Sequence, residues 1–204
     1  MNAPKQRLCL HELENPKSCF PLLGSKYKWT AQISWSPGIG WHKINIDGAK
    51  KSTVVHGGVG GVLRDWNGDI KWAYADSIPN CNDSLLAEVF ALYKMLLLLN
   101  VEDTPKIWIE TDSMTLLNTL NHNLLGNWRI QHLLIHIRSL LIPFEVHISH
   151  IFRKGNQVAD LLANIGFSTQ SYNFYTSNNI PRRILGMARV DQPGIPNFRI
   201  RYRS

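Results

Sequence analysis

Four carboxylates occupy positions where isolated charges are uncommon. Asp47 ends the strand-like run INID, and Asp112 ends the strand-like run KIWIETD. Glu88 and Asp160 lie among apolar residues, in LLAEVFAL and QVADLLA, so both fall near the apolar faces of predicted helices. A carboxylate in such surroundings is unfavourable unless something pairs with it. These four residues are therefore the first candidates for chemistry.

Four acids that converge without a lysine or arginine repel one another. Two arrangements relieve the repulsion: the acids share protons, or they hold hard divalent cations. Ligand sets made only of oxygen suit Mg²⁺ or Mn²⁺ better than zinc. Two such ions, roughly 3.5–4 Å apart, can hold the attacking and leaving oxygens of a phosphodiester displacement. Gly48 and Ala49 would then leave room for a sugar-phosphate backbone, although Asp-Gly alone is also typical of a strand-to-turn boundary.

Convergence depends on the elements that carry the four acids. Alternating apolar residues predict strands at 42–47, 54–65, 69–76, 106–112 and 144–152, and apolar faces predict helices at 84–100, 113–122, 128–141 and 156–166. Asn67-Gly68 predicts a hairpin between the second and third strands. The order βββαβααβα favours an α/β fold with a five-stranded mixed sheet, three antiparallel strands followed by parallel ones, and helices on both faces. If the first and fourth strands are neighbours, Asp47 and Asp112 lie side by side.

The overall composition is that of a globular chain, and its basic balance leads us to expect an anionic partner. The chain has 204 residues, 44% of them hydrophobic, and carries 22 Lys and Arg against 15 Asp and Glu, a net charge of +7. Its three cysteines lack the spacing of a zinc site. We predict a leader or linker at 1–40, one folded domain at 41–167 and a basic tail at 168–204.

The N-terminal residues lack the features of a signal peptide. Glu12 and Glu14 interrupt the stretch where a signal peptide needs an apolar core. The most apolar run, MLLLLNV at 95–101, is far shorter than the ~20 residues of a membrane span. We therefore expect an intracellular protein, in the nucleus or the cytoplasm, that does not associate with membranes.

Several motifs together carry a resemblance to a known family. They are IDGA at 46–49, GGVLRD at 60–65, AEVFAL at 87–92, TDS at 111–113, and RKGN at 153–156 followed by VADLLA at 158–163. From about residue 35 to 167 the chain resembles the type 1 ribonuclease H domain. Within that group it is similar to the retroelement-derived, reverse-transcriptase-like ribonuclease H domains of plants.

The resemblance implies a fold, a reaction and roles for the four acids. The fold would be ribonuclease H-like, and the reaction would be endonucleolytic cleavage of the RNA strand in an RNA/DNA hybrid, leaving 5′-phosphate and 3′-hydroxyl ends. Two Mg²⁺ ions, or Mn²⁺, would be the cofactors. Asp47 and Asp160 would hold the ion that activates water, and Asp47, Glu88 and Asp112 the ion that stabilises the leaving oxygen.

Other residues complete the expected site. Arg153 either stabilises charge on the scissile phosphate or pairs with Asp160. Ser113 is an N-cap for its helix, a contact to substrate, or both. We also expect Gly48, Ala49 and Asn156 to contact the substrate. Glu110 lies two residues, about 7 Å, before Asp112 and is left out of the site.

Two other functions remain open for the same fold. The acids could be relics in a catalytically weak or inactive nucleic-acid-binding module, domesticated from a retroelement. The chain could also be a remnant with no specific activity. Because an acidic cluster without metal destabilises a fold, retained acids favour the enzyme. We expect it to act as a monomer on nucleic acid.

Overall fold

The computed structural model describes residues 27–32, 38–51, 53–122, 128–190 and 197–202. Its strands are β1 (Tyr27–Gln32), β2 (Trp41–Lys50), β3 (Gly57–Arg64), β4 (Ile70–Ile78), β5 (Lys106–Thr111), β6 (Glu145–His150), β7 (Asn173–Thr176) and β8 (Asn197–Tyr202). Its α-helices are α1 (Ser84–Leu98), α2 (Met114–His122), α3 (Trp128–Leu141), α4 (Gln157–Thr169) and α5 (Arg182–Val190). The described elements fall into two compact units: β2 to β7 and the helices in one, β1 and β8 in the other.

A six-stranded mixed sheet, in the order β6-β5-β2-β3-β4-β7, forms the centre of the larger unit. Strands β2, β3 and β4 pair antiparallel, whereas β5 runs parallel to β2, and β6 runs parallel to β5. The predicted Asn-Gly turn joins β3 to β4. Gly68 has a φ of +88°, and its N–H donates to the Asp65 carbonyl at 2.9 Å. The predicted meander followed by parallel strands is confirmed.

The prediction of five strands is wrong, because β7 adds a sixth at the sheet edge, antiparallel to β4. This strand and α5 both come from residues that the sequence analysis placed in the basic tail. With only four residues, NFYT, β7 is too short for its alternation to be told from a loop. Phe174 packs on Trp72 of β4, with ring centroids 5.7 Å apart, and this contact helps to hold the strand in place.

Helices cover both faces of the sheet. On one face, α1 and α3 enclose a core that contains the fully buried Ile44, Ile46 and Tyr74. On the other face, α4 and α5 enclose a smaller core that includes Ile184 of α5. A Cβ at Gly60 of β3 would lie 2.3 Å from the nitrogen of Ala163, so glycine lets α4 pack directly on the strand.

Helix α1 contains most of the apolar run noted in the sequence. It has 15 residues, and Leu92, Met95 and Leu96 are buried in the core. Among the described residues, no helix is both long enough and apolar enough to cross a membrane.

The smaller unit contains the antiparallel pair β1 and β8, which are in register from Tyr27 and Tyr202 to Gln32 and Asn197. Strand β1 lies in the segment predicted to be a leader, and β8 lies in the predicted tail. The rest of the leader and part of the tail lie outside the described residues, at 1–26, 33–37, 191–196 and 203–204.

Candidate active site

Two neighbouring parallel strands place Asp47 and Asp112 side by side. The last parallel partners of β2 and β5 are Asn45 and Glu110, and each aspartate follows two residues later. Strand β5 ends at Thr111, one residue before the predicted end at Asp112. The prediction that Asp47 ends its strand is wrong, because antiparallel pairing with β3 continues β2 to Lys50. At Asp47, β2 is therefore still paired with β3 but no longer paired with β5.

Helix α1 brings Glu88 next to Asp47 and Asp112. The helix is capped by Asp83, whose carboxylate accepts a hydrogen bond from the Leu85 N–H at 3.0 Å. A Cβ at Gly48 would lie 2.5 Å from the carbonyl carbon of Ala87 and from the nitrogen of Glu88. The backbone N–H of Gly48 also lowers the pKa of Glu88 and so offsets part of the rise that burial causes. Glycine at this position therefore permits close packing of α1, and the helix fills the space beside its α-carbon.

Asp47, Glu88 and Asp112 converge closely enough to hold one cation together. One carboxylate oxygen from each lies within 4.8 Å of the other two. Burial, with the negative charges of Asp112 and Asp160, raises the pKa of Asp47 to about 8. Burial, with the charges of Asp47 and Asp112, raises the pKa of Glu88 to about 9. Near neutral pH both groups hold their protons unless a cation stabilises the charged forms.

The donor set fits a hard divalent cation. It consists only of carboxylate oxygens, which Mg²⁺ and Mn²⁺ prefer. Asp47 is 7% exposed, and the Oε2 atom of Glu88 is buried without a hydrogen-bond partner. A buried oxygen without a partner costs about 1–3 kcal/mol. A bound cation would remove that cost, so these three carboxylates suit one hard divalent cation of the kind expected from the sequence.

Asp160 of α4 lies beside this group but outside it. Its negative charge contributes to the raised pKa of Asp47. It does not belong to the set whose ligand atoms all lie within 4.8 Å of one another. Instead, its Oδ1 accepts a hydrogen bond from Arg153 at 3.1 Å, and its Oδ2 accepts one from Asn164 at 3.3 Å. Of the four predicted acids, three are brought together and the fourth is held next to them.

A single 3₁₀ turn before α4 carries Arg153. The guanidinium lies 3.1 Å from the Asp160 carboxylate, and this pairing raises the pKa of Arg153. Because the Arg153 side chain is 80% exposed, the pair contributes little to stability and can separate at low cost. Pairing with Asp160, one of the two alternatives left open by the sequence, is confirmed. Contact with a phosphate stays a prediction.

The remaining predicted site residues differ in burial. Ser113 and Ala49 are partly exposed. The Oγ atom of Ser113 accepts a hydrogen bond from the Leu116 N–H at 3.2 Å, which confirms its predicted role as the N-cap of α2. Asn156, in contrast, is 1% exposed and donates hydrogen bonds to the backbone of β2 and to Asp112.

Sequence reasoning missed two side chains that contact the acids. Asn164 donates to the backbone carbonyl of Asp160 at 2.7 Å as well as to its carboxylate. Asp160 and Asn164 are four residues apart on a predicted helix, and this spacing could have identified the contact from the sequence. The Nε2 atom of His150 lies 3.2 Å from the Asp112 carbonyl. That contact depends on the parallel pairing of β6 with β5, which the spacing of residues does not reveal.

Comparison with known proteins finds a family match over most of the larger unit. The family described as reverse transcriptase-like matches residues 45–166. An Arabidopsis thaliana protein, "Putative ribonuclease H protein At1g65750", is 30% identical over 164 residues, which cover 79% of this chain. The chain spans about a quarter of that relative, 26% of its length.

Solved structures share the fold. The RNase H1 of the halophilic archaeon Halobacterium salinarum is 26% identical with a TM-score of 0.58, over 63% of this chain and 98% of that one. LC11-RNase H1 in complex with RNA/DNA hybrid is 17% identical with a TM-score of 0.53, over 63% of this chain and 97% of that one. The chain thus belongs to the reverse transcriptase-like family, and its larger unit has the ribonuclease H-like α/β fold.

Proposed function

We propose that this chain is a metal-dependent endonuclease that hydrolyses the RNA strand of RNA/DNA hybrids, as a type 1 ribonuclease H does. The observation that carries the proposal is the convergence of Asp47, Glu88 and Asp112 beside neighbouring strands of a ribonuclease H-like sheet. Clustered acids destabilise a folded protein unless a cation offsets their repulsion. The solved complex of a structural neighbour with RNA/DNA hybrid supports the class of substrate.

Two divalent ions, Mg²⁺ or Mn²⁺, fit this function. Asp47 and Asp160 would hold one ion, and Asp47, Glu88 and Asp112 would hold the other. When bound, such ions lower the pKa of a water molecule and offset negative charge on the leaving oxygen. In the overall reaction, the water oxygen forms a bond to phosphorus while the bond from phosphorus to the 3′ oxygen breaks. The products carry a 5′-phosphate and a 3′-hydroxyl.

Arg153 supplies an electrostatic contribution from the protein itself. Its guanidinium is permanently charged and cannot accept a proton near neutral pH. The side chain is exposed, and its guanidinium pairs with Asp160. A phosphate in the site would compete with Asp160 for this cation, and Arg153 would then stabilise negative charge on the scissile group. Ser113 and Ala49, both partly exposed, would contact the substrate backbone.

A second function is supported by the environment of Asp160. This acid is engaged by Arg153 and Asn164 instead of by the group of three. A chain that cannot release Asp160 would bind hybrid without cleaving it, as a nucleic-acid-binding module derived from a retroelement. The net charge of +7 suits either function.

A cleavage assay on labelled substrates tests the proposal. We expect the purified chain to cut the RNA strand of an RNA/DNA hybrid in Mg²⁺ or Mn²⁺, and not in chelator. The Asp47→Asn variant should fold, bind hybrid and leave it intact. Equal cutting by the wild type and Asp47→Asn would show that a contaminant is responsible and overturn the proposal. Binding of hybrid without cleavage in either ion would favour the non-catalytic module.

A further inference from the structure

Asn156 uses both of its amide hydrogens inside the protein. Its Nδ2 donates to the carbonyl of Ile46 at 2.8 Å and to the Oδ1 atom of Asp112 at 3.2 Å. The first contact reaches β2 one residue before Asp47, and the second reaches an acid of the candidate metal site. One buried amide therefore links the segments that carry Asp47 and Asp112.

The same residue also begins the helix of Asp160. The Asn156 carbonyl accepts a hydrogen bond from the Asp160 N–H at 3.0 Å, in the first turn of α4. Asn156 is the N-cap residue of α4, but its side chain makes no capping hydrogen bond. Its amide turns away from the helix toward the acids, so a single residue connects three of the four predicted acidic positions.

The orientation of the amide follows from the chemistry of its partners. The Ile46 carbonyl accepts only, and a charged Asp112 carboxylate also accepts only. A flipped amide would place its oxygen against both, so the nitrogen must face them. The Oδ1 atom of Asn156 is then buried without a hydrogen-bond partner. Such an atom costs about 1–3 kcal/mol, and a residue that served stability alone would be expected to avoid that cost.

We infer that Asn156 is a positioning residue, which fixes the Asp112 carboxylate relative to Asp47 and so tunes the affinity for divalent ions. The inference rests on the proposed metal site. It replaces the expected contact between Asn156 and substrate, because the side chain is 1% exposed. Side chains that orient metal ligands in this way typically change metal affinity or activity by about 10- to 100-fold when removed.

The chain contains a matched control. Asn45 is also buried, at 2% exposure, and its Nδ2 also donates to a carboxylate, the Oε2 atom of Glu110 at 2.9 Å. Glu110 pairs with Lys43 and does not belong to the acidic group. Replacing Asn45 with alanine removes the same kind of hydrogen bond from the same pair of strands, but outside the site.

The test measures Mg²⁺ and Mn²⁺ affinity by calorimetry, without nucleic acid, in the full chain. Asn156→Ala should weaken binding by about tenfold or more, and kcat on hybrid should fall while KM changes little. Asn45→Ala should lower the melting temperature but leave metal affinity unchanged. If Asn156→Ala does not fold, Asn156→Ser keeps one possible donor and should show a smaller loss of affinity.

Each outcome separates this inference from the proposed function. Unchanged metal affinity in a folded Asn156 variant, or an equal loss in Asn45→Ala, overturns the positioning role alone. A wild-type protein that binds metal but does not cut hybrid overturns the proposed enzyme and leaves the positioning role intact. A wild-type protein that binds neither ion overturns both.

Discussion

Beside strands β2 and β5 lie an inner cluster with one carboxylate, Glu110, and an outer cluster with three, two residues further along, and the two clusters have opposite electrostatic character. In the inner cluster, Glu110 lies 3.0 Å from the Lys43 ammonium and accepts a hydrogen bond from Asn45 at 2.9 Å. In the outer cluster, Asp47 and Asp112 meet Glu88. Glu110 and Asp47 are almost equally buried, at 6% and 7% exposure.

Burial alone therefore does not separate a structural carboxylate from a functional one. The inner acid has a cation and an amide beside it, so its charge is balanced within the protein. The outer acids have mainly one another, and the pKa of Asp47 rises to about 8 in consequence. Only the outer cluster needs a further cation, and this difference marks it as the candidate site.

The largest effect is expected on cleavage activity, and it should distinguish Asp112 from Glu110, two residues earlier in the chain. Asp112→Asn should reduce cleavage of hybrid by at least about a hundredfold, because it removes a charge that would hold metal. Glu110→Gln should leave kcat within a few-fold but destabilise the fold by roughly 3 kcal/mol or more, because a buried pair loses one partner. Single-turnover cleavage and denaturant unfolding provide the two readouts. If Glu110→Gln folds and binds metal normally but no longer cleaves hybrid, the claim that the inner cluster is only structural is wrong.

A smaller effect is expected at Arg153, whose positive charge lowers the pKa of both Asp47 and Glu88. Arg153→Ala should lower turnover by about 10- to 100-fold and hardly change stability, since its pair with Asp160 is exposed. Arg153→Lys, which keeps the charge, should lose less. Hybrid affinity measured in Ca²⁺ should change little in both variants. If His150→Ala abolishes cleavage and Arg153→Ala does not, the assignment of the charge-stabilising role to Arg153 is wrong.

The third prediction concerns the three exposed arginines of helix α5. On α5, Arg182, Arg183 and Arg189 are exposed, while Ile184 is buried in the core. Replacing the three arginines with glutamine should weaken hybrid binding several-fold. It should also lower the slope of log K against log salt by up to about one for each phosphate that an arginine no longer neutralises. Filter binding at several salt concentrations measures both. A deletion after Ser168 would not be a clean test, because it would also remove β7 and the packing of α5 on the core. Unchanged hybrid affinity in the triple arginine variant would contradict this role.

The fourth prediction is a dependence of stability on pH in the metal-free protein. In the folded state the pKa of Asp47 is about 8 and that of Glu88 about 9, whereas both lie near 4 in an unfolded chain. Between these values the folded state binds more protons, so the free energy of unfolding falls as pH rises from about 4 to about 9. Melting curves in chelator should show this decline, and Glu88→Gln should reduce it. An identical decline in the variant would show that other groups cause it.

Much of the fold was predictable because its signals are local. The alternation in β2 to β6 and the apolar faces of α1 to α4 are long enough to identify each element, and Asn67-Gly68 specifies its own turn. Strand β7 could not be predicted in this way, since it becomes a strand only by pairing with β4. The extension of β2 past Asp47 likewise depends on its pairing with β3.

The acids of the site were predictable, but their partners were not. Asp47, Glu88 and Asp112 stand out because each is a carboxylate at an apolar face or a strand end. The burial of Asn156 arises from the packing of α4 against β2, and no local pattern shows it. The sequence left Arg153 with two alternatives, because choosing between them requires the distance to Asp160.

The central claim is that the outer cluster is destabilising by itself and is stabilised by a divalent ion. The direct test is the melting temperature of the wild type and Asp47→Asn at pH 7.5, in chelator and in 10 mM Mg²⁺. For a dissociation constant of about 1 mM, Mg²⁺ stabilises the wild type by about 1.4 kcal/mol, which corresponds to roughly 3–6 °C. Asp47→Asn should melt above the wild type in chelator and gain little from Mg²⁺. Equal shifts in both proteins, or a shift in neither, would contradict the account.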